Sequence, residues 1–116
     1  MKVVFYALLL SVFLVCSQSN GYSQVPDDIV SRIEDPNDLD AFAAAMTKRG
    51  NFRRAAEAYQ RLVALYPLDP ELYINLSRCQ LELHEYEKAV EAAREAVRLL
   101  PRDHAARNNL GWGLLS

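Results

Sequence analysis

From residue 36 onward, apolar side chains recur every three or four positions and never alternate over a run of residues. Leu39, Phe42, Ala43 and Met46 fall on one face of a first helix. Gly50 and Asn51 interrupt the pattern, and Phe52, Ala55, Tyr59 and Leu62 line a second helix. The scheme returns with Tyr73, Leu76 and Leu83, a turn at His84 and Glu85, and then Tyr86, Ala89, Ala93 and Ala96. Pro67 and Pro101 end the second helix of each pair, because proline has no N–H for the ladder and clashes with the preceding turn. Nothing has the period of two that a half-buried strand requires, so the prediction is all-α, built of antiparallel helix pairs.

The pairs are copies of one another. A shift of 34 places aligns Asp35, Asp69 and Asp103, and with them Pro36 and Pro70, Phe42, Leu76 and Leu110, Ala55 and Ala89, and Pro67 and Pro101. Each aspartate suits an N-cap, and the proline after it suits the first helical position, where a missing N–H costs nothing. First helices are therefore expected to start at Pro36 and Pro70, and a third near His104.

The N-terminal residues have another character. Residues 3–15 are apolar except for Ser11 and follow Lys2, and a polar stretch comes after them. This is the layout of a secretory leader over residues 1–21, with small residues suited to cleavage after Ser19, Gly21 or Ser23, the last two favoured. A helix of that apolar length spans about 20 Å against a hydrocarbon core of about 30 Å, so a membrane anchor is the alternative and not the first reading. Val15 before Cys16 argues against a lipidation signal. A secreted or periplasmic location is expected, with no stable membrane insertion after cleavage. The remaining divisions are an acidic segment over 22–35 with a short amphipathic turn at Ile29, Val30 and Ile33 that could pack on the first helix, repeats at 36–69 and 70–103, and a partial third repeat or capping helix at 104–116.

Composition narrows the function classes. The chain has 116 residues, with 13 basic and 15 acidic side chains and a formal charge of -2, which lacks the cationic surplus of a nonspecific nucleic-acid binder. The balance conceals an asymmetry: six acids lie between Asp27 and Asp40, whereas residues 41–116 carry 11 bases and 9 acids. With 4 Gly, 5 Pro and 2 Cys, collagen-like and disulfide-rich classes are excluded. No catalytic residues, metal ligands or cofactors are expected. His84 sits in a turn, His104 opens a helix, Cys79 suits a packing position, and no cluster has metal-ligand spacing.

The spaced residues resemble the tetratricopeptide repeat family. The first unit matches its pattern with Leu39, Phe42, Ala43, Gly50, Phe52, Ala55, Tyr59 and Pro67, while Leu62 stands where the family has alanine. The second does so with Tyr73, Leu76, Ser77, Tyr86, Ala89, Ala96 and Pro101. His84 stands where the family has a turn glycine, and Ala93 where it has an aromatic residue. The resemblance implies a helix-turn-helix solenoid of two full repeats plus the first helix of a third. It also implies a non-catalytic module that holds a protein or an extended peptide in its concave groove, as a scaffold or adaptor. The alternative is a docking or regulatory piece of a larger exported enzyme or envelope assembly protein.

Carried over place by place, the groove residues are Asp40, Ala44, Thr47 and Lys48, then Ile74, Asn75, Arg78 and Leu81, then Asn109 and Trp112. Asn75 and Asn109 resemble the asparagine ladder with which some members grip a peptide backbone, since an amide both donates and accepts. The clamp by which other members hold chaperone C-termini is not matched, because Asp40 would repel a carboxylate. Trp112, Leu114 and Leu115 at the last helix suggest self-association or a continuing array.

Overall fold

The computed structural model describes residues 29–116, and these form six helices with no strand among them. They are α1 (Ile29–Arg32), α2 (Pro36–Lys48), α3 (Phe52–Leu65), α4 (Pro70–Glu82), α5 (Tyr86–Leu99) and α6 (His104–Leu115). The expected leader, and the acidic segment as far as residue 28, lie outside the described residues.

Each first helix of a pair starts at the aspartate that the 34-residue period selects. The Asp35 carboxylate accepts from the Asn37 N–H at 2.8 Å, Asp69 from Glu71 at 3.1 Å, and Asp103 from Ala106 at 2.9 Å. These bonds satisfy donors that have no partner within the helix.

The ends of α2 and α4 are also alike. Gly50 has φ +78° and His84 φ +60°, the left-handed conformation that closes a helix. In each case the next residue's N–H returns to the carbonyl five places back, Asn51 to Met46 and Glu85 to Gln80, both at 2.9 Å. His84 adopts this conformation although it has a Cβ, and its Nδ1 lies 2.7 Å from the Tyr86 hydroxyl. Beyond α3 and α5, the turns through Pro67 and Pro101 are closed by Asp69 N–H to Tyr66 C=O at 3.2 Å and Asp103 N–H to Leu100 C=O at 3.1 Å. The residue that caps the next helix thus also closes the turn before it.

Helices pack in sequence, α2 on α3, α3 on α4, α4 on α5 and α5 on α6, and α4 also meets α6. Small side chains permit this closeness. Ala43, Ala55, Ala89, Ala93 and Ala96 have no exposed surface, and Leu39 and Leu62 fill the space between the helices of the first pair at 1% and 2% exposure. Gly113 is a further close approach, where a Cβ would lie 2.7 Å from Val90 Cγ2. The architecture is the all-α solenoid expected from the period.

The short helix α1 differs from expectation in where it docks. Val30 is buried in the core, with Ile29 and Ile33 packed beside it, but its principal neighbour is α3, the second helix of the first pair. The reason is polar as well as apolar. Arg61 of α3 donates to the carbonyls of Val30 and, at 3.1 Å, of Ile33, satisfying acceptors that the end of a short helix leaves open.

Candidate partner-binding surface

The first helices α2, α4 and α6 carry the residues that the repeat register assigns to the concave face. On α2, Asp40, Ala44 and Lys48 are exposed and Thr47 is half-buried. On α4, Arg78 is exposed, while Asn75 and Leu81 are half-buried. On α6, Trp112 is 66% exposed and Asn109 half-buried.

Two assigned positions are engaged inside the protein. Ile74 is only 6% exposed and closes against Ala96 and Ala106, so it forms core between α4, α5 and α6 and not an apolar wall of the groove. Asn109 donates from Nδ2 to the Ile74 carbonyl at 3.0 Å and to Ser77 Oγ at 2.9 Å. Both its amide hydrogens therefore fasten α6 to α4. Asn75 is at the equivalent place one repeat earlier, and there the register place of Ser77 is held by Ala43, which offers no hydroxyl. Its Oδ1 instead accepts from Arg78 at 3.2 Å, on the surface. The two asparagines thus share a register but not a role. Ser77 is fully buried and donates to the Ile74 carbonyl at 2.9 Å.

Thr47 lies at the seam between α2 and α4. Its hydroxyl donates to the Ala43 carbonyl at 2.8 Å and sits 3.8 Å from Cys79 Sγ. Cys79 has no exposed surface and is not in a disulfide. Burial pushes its thiol pKa up, with Thr47 pulling in the opposite direction, which favours the protonated form. Burial also raises the pKa of Tyr59 beside it, the Thr47 hydroxyl again opposing. Asp40 and Arg78 act on Tyr59 with opposite sign, which places α2 and α4 surface charges around one phenol. Among the described residues no group of three or more His, Cys, Asp or Glu could hold a metal ion. No helix among them is long and apolar enough to cross a membrane.

On the other side, α3, α4 and α5 enclose a groove of about 590 Å³ that the periodic reading did not single out. Gln80 lines it, in the register place held by Met46 one repeat earlier. A polar residue in an otherwise apolar row was the signal available in the sequence.

Comparison with known proteins agrees with this architecture. A 70-residue stretch is 33% identical to a protein described as Protein SGT1 homolog from Oryza sativa subsp. japonica, covering 60% of this chain and 19% of that protein's length. The chain therefore spans about a fifth of the curated relative it matches. The sequence pattern of the Tetratricopeptide repeat family matches residues 47–104 and, in a second overlapping copy, 80–115, together more than half of the chain. With the repeated caps, turns and helix pairs described above, this chain belongs to the tetratricopeptide repeat family.

Proposed function

We propose that the protein is a non-catalytic binding module of an exported protein, and that a protein or extended peptide lies across α2, α4 and α6. One observation carries this reading: Asp40, Lys48, Asn75, Arg78 and Trp112 stand half-buried or exposed on successive first helices, and the Asn75 and Arg78 side chains meet each other at the surface. Asn75 and Arg78 supply the central polar contact. At about 1 kcal/mol net per hydrogen bond they set register, while affinity comes from apolar contacts at Leu81 and Trp112. The test is recovery of partners by the Asn75→Ala/Arg78→Ala double variant beside the unaltered protein, identified by mass spectrometry. A several-fold loss with an unchanged helical circular dichroism spectrum is expected, and equal recovery rejects this face.

Export rests on the leader-like residues 1–21, and the N-terminal sequence of the mature protein recovered outside the cytoplasm is expected to start at Tyr22 or Gln24. A second reading, a docking segment of a larger exported enzyme or envelope assembly protein, is supported by the short share of its relative that the chain spans. Trp112, Leu114 and Leu115 are 66%, 60% and 85% exposed, a surface that a continuing array or a second copy would cover. Sequence of the locus beyond Ser116 separates these.

A further inference from the structure

We propose that the groove between α3, α4 and α5, on the side away from the concave face, takes a peptide segment bearing a lysine or arginine flanked by aliphatic side chains. The proposal is independent of the concave-face reading.

Three observations converge on it. First, the groove has an apolar lining, including Ala56, Val63, Leu76 and Ala92, which suits aliphatic side chains and the stem of a long cation. Second, Gln80 lines it at 5% exposure, and its Oε1 is buried with no hydrogen-bond partner. An unmet acceptor in such a place is a standing cost to the fold. The fold does not demand it, since Met46 fills the same register place in the first repeat as plain core, at 4% exposure. A carboxamide kept there without a partner suits an incoming N–H donor, reached by a turn of the Gln80 side chain.

Third, the charges around the groove are unevenly paired. Four carboxylates, Glu57, Glu85, Glu91 and Glu95, border it with two cations, Arg53 and Lys88. Both cations are drawn to Glu85, at 3.9 Å and 3.0 Å, while Glu57 and Glu95 pair with Arg54 and Arg98. Glu91 has no ion-pair partner among the described residues, and it is exposed. A lysine or arginine of the partner supplies the missing charge at Glu91, and an N–H of the same segment supplies the donor for Gln80. An anionic peptide would meet the unpaired Glu91 carboxylate and is disfavoured.

The experiment is a nuclear magnetic resonance titration of the isotope-labelled protein with the capped peptide acetyl-Ala-Leu-Lys-Val-Ala-amide, and with the same peptide carrying norleucine or glutamate in place of lysine. Saturable shifts of the Gln80 side-chain amide and of the Glu91 and Ala92 backbone amides are expected. Binding should be at least threefold weaker for the norleucine peptide and undetectable for the glutamate one. Glu91→Gln should weaken the lysine peptide at least threefold without moving the melting temperature. Gln80→Met should raise the melting temperature and lose binding. Shifts confined to Asn75, Arg78 and Trp112 would overturn the proposal in favour of the concave face, leaving that reading intact. Concentration-dependent shifts at Gln80 without peptide would assign the groove to a second copy, and absence of any shift at Gln80 with millimolar peptide would reject it.

Discussion

Gly50 and His84 do the same backbone work with different means. Gly50 takes φ +78° without a Cβ, and open space surrounds the place where one would stand. The cost of any other residue is therefore conformational and not steric. Gly50→Ala is expected to lower stability by about 1 kcal/mol, the scale of left-handed strain for an L-residue, as read from urea unfolding. His84 takes the same conformation with a Cβ, its ring 5.7 Å from that of Tyr86 in an edge-on arrangement. Nearby burial sets a pH dependence. Cys79 and Tyr59 have ordinary values of 9.0 and 10.0 that the fold raises, so the unfolded chain ionises first as pH increases. Stability should be constant with respect to these groups below about pH 8.5 and should fall as pH rises through 9 and 10. Cys79→Ala should reduce the first part of that fall in unfolding curves measured across pH. A slope identical to that of the unaltered protein would show that the thiol is not responsible.

At the scale of elements, close helix approach and a single arginine carry the predictions. Ala55 and Ala89 occupy the same register place and have no exposed surface, so a leucine has nowhere to go without moving a helix. Ala89→Leu is expected to cost about 1–3 kcal/mol, and an unchanged melting temperature would mean that the α4–α5 contact is looser than described. Arg61 ties α1 to α3 through two carbonyls. Arg61→Met keeps the aliphatic stem and removes the donors. Hydrogen exchange should then speed up at residues 29–33 while the amides of α4 and α5 keep their protection. The helices, their aspartate caps and their terminating prolines were legible in the sequence because a cap acts within three residues and periodicity within a few turns. Arg61 was not, since it meets carbonyls 31 and 28 residues earlier in the chain.

The described residues form a stack of helices whose first and last elements differ. α1 buries Val30 against the first pair, whereas α6 presents Trp112, Leu114 and Leu115. Trp112 is the chain's single tryptophan and so reports on that end alone. As a monomer, the protein should show the long-wavelength emission of a hydrated indole and full access to iodide. Blue-shifted, protected emission that appears with rising concentration would reveal stacking of copies. The all-α class, the pairing of helices and the repeat were determined by the sequence alone, because they follow from local caps, turns and a period repeated 34 residues apart. Which repeat positions remain open to a partner was decided only by the tertiary structure. Ile74 became core once α6 lay over α4, Asn109 gave its donors to a carbonyl and a hydroxyl 35 and 32 residues away, and the Gln80 Oε1 was left without a partner. A register assigns a direction to a side chain, but whether that direction meets solvent, core or an unfilled groove depends on packing between distant elements.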